Sequence, residues 1–308
     1  MAPVGKPLHT SSQRFDLFQR IGNYVVGRYL AARARHHVQT GYSPVAVFAF
    51  DFIGRDIALN GRFERDDLAV LDDFLAPFRE RFSSSTALDI GANIGNHSLF
   101  FANRFAAVHS FEPNPRTFGV LSVNAQLALN IFVHNLALGD MRGVLPLKFD
   151  PLNVGEATLV AAEDATPSDR CDVTVERLDD LASGLGDVAL IKIDVEGFEA
   201  SVLRGAFEML QRSQPIVVFE QNVGAFVNGR SEAAELLQQA GYVLCVLSKR
   251  NVGHGTVSQV FGALRKVLDG IQYDIIPVNA LQPDHYSMIV ALPSADVALL
   301  AQRTKTST

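Results

Sequence analysis

The chain has 308 residues, 48% of them hydrophobic and 19% charged, with a formal net charge of -6. That balance suits one large α/β domain with an elaborated N-terminal part; it excludes bulk disorder and gives the molecule as a whole no drive towards nucleic acid. Two cysteines, Cys171 and Cys245, stand outside any CxxC or Cys/His cluster, which excludes a disulfide framework and a structural zinc site and fits a reducing, cytoplasmic compartment.

Residues 1–41 carry Lys6, Arg14, Arg20, Arg28, Arg33 and Arg35 against Asp16 alone. An Arg-rich, acid-poor start has two readings: an organelle-targeting segment, or an amphipathic helix packed on the core, which the base rate favours. Met1 to Thr10 reads as a loose tail. Phe15, Phe18, Val25 and Tyr29 predict a helix up to Arg35. Val45 to Phe52 and Arg55 to Leu59 read as two short strands around Gly54. Leu68, Leu71, Leu75, Phe78 and Phe82 then mark a helix that Pro77 kinks. Residues 1–85 form an N-terminal extension on this reading, and residues 86–308 a single domain.

From Thr86 onward, strand and helix alternate, as in a parallel sheet covered on both faces. Core strands are expected at Ala87–Ile90, Val108–Phe111, Ile131–Val133, Val188–Ile193 and Ile216–Phe219. Tyr242–Leu247 and Met288–Leu292 complete the sheet, and Val144–Phe149 with Val173–Val175 form an inserted hairpin. Helices follow at Leu99–Ala106, Phe118–Leu129, Ala200–Leu210 and Glu232–Ala240. Lys249 to Pro283 is irregular, with one helix near Val260–Leu268 and a loop over the site. No apolar run approaches the roughly 18 residues that a membrane span requires.

Asp89-Ile90-Gly91-Ala92-Asn93-Ile94-Gly95 joins a strand to a helix. Its glycines permit a sharp turn close to a ligand, and the helix start offers free N–H groups. About twenty residues on, the next strand ends in Phe111-Glu112-Pro113-Asn114, where a carboxylate can accept both ribose hydroxyls, as in dinucleotide-binding folds. Dinucleotides need a middle glycine to admit the pyrophosphate. Asn93 holds that place, which favours an adenosine ligand without phosphates, such as S-adenosylmethionine, over a nicotinamide cofactor. The alternative is a tight turn that binds nothing. Leu190 to Glu199, LIKIDVEGFE, is the second unusual stretch: Asp194 and Glu196 sit where a buried strand opens into a helix, the edge at which open α/β sheets place ligands.

These segments resemble the FkbM family of S-adenosylmethionine-dependent methyltransferases. The likeness runs through ALDIGANIGNHSLFFA, HSFEPNPRTFGVLSVNAQLALN, NLALGD, VERLDDL, LIKIDVEGFEASVLRGAFEML and PIVVFEQN, in the family's order, over about residues 86 to 222. It implies a class I methyltransferase (Rossmann-like) doubly wound sheet with an antiparallel last strand. It also implies methyl transfer, usually to oxygen, on sugars, polyketides or other small metabolites. Asp89, Gly91, Asn93 and Gly95, with Ala92 and Asn96 in the same loop, become the methionine-side contacts. Glu112 becomes the ribose acceptor, flanked by Pro113 and Asn114. Asn135 and Ala137 border the adenine, and Asp194 and Glu196 stand beside the reacting methyl. The N-terminal residues match least well, and part of them is expected to shape the acceptor pocket.

A hydroxyl acceptor has to lose its proton, and Glu196 and Glu220, with Asp194 on the same rim, are the carboxylates for that task. Asp194, Glu220 and Asn222 raise the alternative of a bound Mg²⁺ that acidifies the hydroxyl. His97, His109 and His134 read as structural; His254 and His285 lie where a pocket could be reached, although an ordinary surface role fits them better. Rival readings are a protein that binds an adenosine ligand without transferring anything, and a nicotinamide-dependent oxidoreductase.

Overall fold

The computed structural model describes residues 16–49, 51–150, 153–159, 170–251 and 271–306. The expected tail at Met1–Thr10 and the expected helix at Val260–Leu268 lie outside the described residues, as does His254. Helix α1 (Leu17–Gln39) starts where the Asp16 side chain accepts the N–H groups of Phe18 and Gln19. Helix α2 (Phe52–Asn60) follows, and this corrects the two strands expected around Gly54. The apolar run before it pairs with no strand among the described residues. Asp51 at the helix start and Gly61, left-handed at φ 86° after its end, delimit a helix that buries Ile57. A Cβ on Gly54 would lie 2.3 Å from the Phe48 carbonyl oxygen, so the glycine lets the preceding chain fold back on α2.

Helix α3 (Arg65–Leu75) runs into a 3₁₀ turn at Ala76–Phe78, where Pro77 falls, and then into α4 (Arg79–Phe82). From there the expected alternation is present: β1 (Thr86–Ile90), α5 (Asn96–Ala102), β2 (Ala107–Phe111), α6 (Pro115–Ala125) and β3 (Ile131–His134). The inserted hairpin is a four-stranded sheet: β4 (Ala137–Leu138), β5 (Gly143–Asp150), β6 (Asn153–Leu159) and β7 (Arg170–Glu176), in the order β4-β7-β5-β6. After α7 (Leu178–Leu181) come β8 (Val188–Ile193), α8 (Glu199–Gly205), α9 (Phe207–Ser213) and β9 (Ile216–Gln221). One helix was expected where α8 and α9 stand; they meet at Ala206, whose ψ of 8° breaks the ladder. A short ribbon, β10 (Phe226–Val227) and β11 (Arg230–Ser231), precedes α10 (Glu232–Gln239). The chain ends in β12 (Tyr242–Asn251), β13 (Ile271–Val278), β14 (Tyr286–Pro293) and α11 (Ser294–Thr306). Strand β13 corrects the irregular reading of 249–283: it pairs with β12 from Leu244↔Val278 to Asn251↔Ile271.

Among the described residues the main sheet has eight strands in the order β13-β12-β14-β9-β8-β1-β2-β3. Strands β3, β2, β1, β8 and β9 are parallel, and β14 runs antiparallel to β9 and to β12. This is the doubly wound, mostly parallel sheet with a reversed final strand that the family resemblance implies. Strands β1 and β8 are buried along their whole length, so successive side chains serve opposite faces. Leu88, Ile90, Ile191 and Ile193 pack towards Val202, Leu203 and Leu237. Ala87, Leu190 and Val218 pack towards Leu68, Leu71, Phe82 and Phe101, so α3 and α4 share this core.

At the β2–β3 edge, Phe132, His109, His134 and Phe111 form a ladder of stacked rings with centroids 4.6 to 5.2 Å apart. Nδ1 of His109 lies 2.9 Å from Nε2 of His134, so one imidazole donates to a neutral partner. Burial, then the neighbouring imidazole, push His109 down from 6.5 to about 4, and burial lowers His134. Between pH 6.5 and about 4 the unfolded chain therefore takes up protons that the native pair refuses, and this contribution to stability is lost as pH falls. Denaturant unfolding should show the wild type losing roughly 1–2 kcal/mol relative to His109→Gln over that window, after allowance for solvent screening; a constant difference would contradict the assignment.

Candidate cofactor and active site

In this strand order the chain moves from β1 to β2 on one side and later returns to β8 on the other. The crevice opens at this switch point, beyond the carboxyl ends of the strands. A cavity of about 400 Å³ occupies it, and its floor is made by Ile90, Gly91, Asp194 and Val195. Gly91 is left-handed at φ 77°, and a Cβ there would stand 1.8 Å from the Asp194 carbonyl oxygen. The N–H groups of Gly91 and Ala92 both donate to the Phe111 carbonyl at 3.0 Å, and Asp194 N–H donates to Ile90 at 2.9 Å. Asn93 is left-handed at φ 50°, a conformation that asparagine tolerates better than most residues. Its Oδ1 is buried without a hydrogen-bond partner.

Glu112 is buried at the end of β2, and each carboxylate oxygen accepts one backbone N–H: Asn93 at 2.9 Å and Asn114 at 2.8 Å. Desolvation outweighs these bonds and lifts the carboxyl to about 7. The group lines the cavity with Pro113, Phe111 and Thr117. Leu136, Ala137 and Leu138 continue the wall, and Leu147 of β5 closes it.

Behind the floor lies a buried ion chain. Lys192 Nζ donates to Asp194 Oδ2 at 2.9 Å and stands 3.8 Å from Asp89 Oδ1. Ser98 Oγ donates to Asp89 Oδ2 at 2.6 Å, and Ser110 Oγ donates to Ser98 at 2.8 Å. Burial opposes the charge on Lys192, but the two aspartates outweigh it and raise its pKa; Lys192 in turn lowers that of Asp194. Lys192 is part of LIKIDVEGFE, yet a single cation in an apolar strand does not announce its partners, and only folding sets it between Asp89 and Asp194.

On the far side, Glu196 is left-handed at φ 49°, and its Oε2 accepts Asn222 Nδ2 at 3.0 Å. Asn222 Oδ1 lies 3.0 Å from His285 Nδ1, which is also 3.8 Å from Glu220. Burial, followed by repulsion from Asp194, Glu196 and Glu64, pushes Glu220 up to about 8. Glu64, Phe52, Ile53 and Phe63 from the N-terminal part line the same cavity. Glu64 Oε2 is 3.2 Å from His97 Nε2, and that contact holds its pKa below the usual value despite its burial. None of these four was singled out from sequence. An acid before an apolar-periodic helix reads simply as an N-terminal charge, and only folding turns it inward.

Of the residues expected at the site, Gly91, Asn93, Glu112, Pro113, Ala137, Asp194, Glu196 and Glu220 line the cavity. Asp89, Ala92, Gly95, Asn96, Asn114 and Asn135 do not; they build it from behind. Asp89 is fully buried, Gly95 is left-handed at φ 90° where α5 starts, and Asn114 caps α6. Asn135 Nδ2 donates to the carbonyls of Glu112 and Pro113, and Asn96 pairs with both backbone groups of Phe63. Of the alternative Asp194, Glu220 and Asn222 metal set, Asp194 and Glu220 line the same cavity, with Asp194 bonded to Lys192 and Asn222 between Glu196 and His285. Among the described residues no group of three or more His, Cys, Asp or Glu is placed to hold a metal ion.

The family model described as the Methyltransferase FkbM domain matches residues 89–244. Methyltransferase 1 of Beauveria bassiana is 28% identical over 186 residues, which cover 53% of this chain and 70% of that protein. The 31-O-demethyl-FK506 methyltransferase FkbM of Streptomyces tacrolimicus is 30% identical over 149 residues, covering 38% of this chain and 57% of that protein. The hexuronic acid methyltransferase AglP of Haloferax volcanii is 29% identical over 136 residues, covering 42% of this chain and 53% of that protein. The chain thus spans only part of each of these relatives.

The loop geometry yields a stability test. Gly91→Ala adds a Cβ where the Asp194 carbonyl stands and strains a left-handed residue, which should lower stability by at least about 1–3 kcal/mol in thermal or urea unfolding. A variant as stable as the wild type would show that the turn can relax.

Proposed function

The chain belongs to the FkbM methyltransferase family, and from that premise we propose that it methylates a hydroxyl oxygen of a small molecule such as a sugar, a polyketide or another secondary metabolite. S-adenosylmethionine is the methyl donor; when bound, it supplies a methyl group already activated by its sulfonium. The observation that carries the reading is the two-sided cavity. One side offers the glycine turn and Glu112, and the other offers Glu64, Glu196 and Glu220 under Phe52 and Phe63. The names of the relatives, one acting on a hexuronic acid and one on a 31-O-demethyl compound, support oxygen as the acceptor atom.

In this reading the residues divide their work by position. Glu112, pinned by Asn93 and Asn114, keeps lone pairs for the ribose hydroxyls, while the partnerless Asn93 Oδ1 accepts from the donor's amino-acid end. Gly91 gives the backbone room at the floor. Ala137 and Leu147 enclose the adenine side. Lys192 fixes Asp194 beside the transferred methyl, so the carboxylate does not swing. The enzyme's share is alignment of acceptor oxygen and methyl carbon, with removal of the hydroxyl proton to Glu196, beside which Glu220 takes part as a base only where it is ionised, above about pH 8. Residues 51–64, within the N-terminal 1–85, serve as the acceptor-side cover. The unpaired Cys171 and Cys245 suit a cytoplasmic setting.

Calorimetric titration with S-adenosylhomocysteine tests the donor site, and its pH dependence tests Glu112. Hydroxyl donors favour the ionised carboxylate, whereas the ligand-free group holds its proton below about 7. Affinity should therefore fall as pH drops below about 7, by up to about tenfold per unit, and Glu112→Gln should flatten the profile. Absence of binding by the folded protein would sink the reading; binding without a pH slope would remove Glu112. Glu196→Gln should keep donor affinity and slow single-turnover transfer by roughly 10²-fold or more. Transfer at the wild-type rate would take Glu196 out of the proton path.

A further inference from the structure

The main cavity is lined by the carboxylates of Glu64, Glu112, Asp194, Glu196 and Glu220, and by no lysine or arginine among the described residues. The donor half accounts for two of these acids: Glu112 is pinned by two backbone N–H groups, and Asp194 is bonded to Lys192. Glu64 and Glu220 stand on the acceptor side. Both also line a second, smaller cavity of about 30 Å³, which shares Asp194 with the main one. That recess has room for one small polar group. Its walls carry Glu64, Asp67, Asp194 and Glu220 against Lys192, whose charge Asp89 and Asp194 already engage. His285 reaches Glu220 only at 3.8 Å, and its Nδ1 lies closer to Asn222, at 3.0 Å. Positive charge is therefore short where the two cavities meet. Burial, then repulsion from Asp194, Glu196 and Glu64, pushes Glu220 up to about 8, and Lys192 offsets this only in part. Phe52 and Phe63 stand edge to face in the wall beside Glu64, with ring centroids 5.9 Å apart.

We propose that the methyl acceptor is a hydroxylated amine, such as an aminated sugar or cyclitol, whose ammonium group is held between Glu64 and Glu220 while its hydroxyl faces the methyl group. This rests on the methyltransferase reading above and narrows its acceptor to one charge class. In that reading the donor's sulfonium faces Asp194, which leaves Glu64 and Glu220 to the acceptor. An ammonium brings one charge and three N–H donors, so it can bond both carboxylates and relieve their mutual repulsion. Aromatic rings in the same wall favour a cation further. A neutral polyol could satisfy the hydrogen bonds, but it would leave the acids facing one another. A carboxylated or phosphorylated acceptor would add a negative group to a cavity that already has several, so the same walls reject it. The ammonium form also directs the chemistry. Its nitrogen has no lone pair with which to attack, so the hydroxyl oxygen takes the methyl while its proton goes to Glu196.

The test starts from the full chain saturated with S-adenosylhomocysteine. Failure to bind that ligand overturns the methyltransferase reading and takes this proposal with it; every later failure belongs to the proposal alone. The loaded protein is titrated calorimetrically with probes matched in shape and different in charge: glucosamine, glucose and glucuronate, then streptamine against scyllo-inositol. The pH is set at about 6.5, where amines carry their proton. Each aminated probe should bind about tenfold tighter than its neutral counterpart or better, and glucuronate should bind weakest. Glu64→Gln and, separately, Glu220→Gln should shrink that preference roughly three- to tenfold, with affinity for S-adenosylhomocysteine and for the neutral probes kept. Thermal unfolding certifies the fold of each variant, and either one that folds suffices for the comparison. Equal affinity for aminated and neutral probes, a preference for glucuronate, or no binding of any aminated probe overturns the proposal. So does a preference that survives substitution of either acid in a folded variant.

Discussion

A buried lysine organises the carboxyl edge of the sheet. Lys192 sits in a strand that is otherwise apolar, and its ammonium is taken out of water between Asp194 at 2.9 Å and Asp89 at 3.8 Å. Such an ion is tolerated only when its partners are fixed, since an uncompensated buried charge costs several kcal/mol. Asp89 is fixed by Ser98, Ser98 is bonded by Ser110, and these side chains lie on strands β1 and β2 and at the start of α5. The ion chain therefore ties the ends of the three central strands to the helix after the glycine turn. It does so on the face that α3, α4 and α5 cover, because residues 89 and 192 share the alternation of Ala87 and Leu190.

The glycine turn and Glu112 follow from that frame. With Asp194 held in place, its carbonyl leaves no volume for a side chain on Gly91, so the loop can pass only as glycine. The loop then presents Asn93 N–H to Glu112, and the carboxylate is locked from two sides in a dry site. A carboxyl at about 7 and another at about 8 on opposite sides of one cavity are the electrostatic result of burial and crowded acids. Few positive groups reach that space, because Lys192 is already engaged, and the cavity therefore suits ligands rich in hydrogen-bond donors.

The places where sequence reasoning and structure part company have local causes. An apolar run before Gly54 looks like strand, but α2 is set by its boundaries, Asp51 and the left-handed Gly61. Ala200 to Leu210 carries an unbroken helical stripe, yet the helix breaks at Ala206, a residue with no breaker chemistry of its own. Strand β13 was hidden because an edge strand needs little apolar signal and is defined by its partner, β12. Likewise, six of the residues expected at the site (Asp89, Ala92, Gly95, Asn96, Asn114 and Asn135) support the cavity rather than line it, a distinction that depends on where each side chain points after folding.

The sequence alone determined the period of the elements, the glycine turn, the acid that closes β2 and the acids that follow β8, because each rests on local rules of backbone conformation and alternation. It was enough to place the chain in its family and to name the donor. Tertiary structure decided which residues touch the cavity. It brought Glu64, Phe52 and Phe63 across from a segment more than a hundred residues from Asp194, paired His97 with Glu64, and turned Lys192 from an oddity in an apolar strand into the keystone of the site. Those contacts depend on non-local packing between elements, which no spacing within a motif can encode.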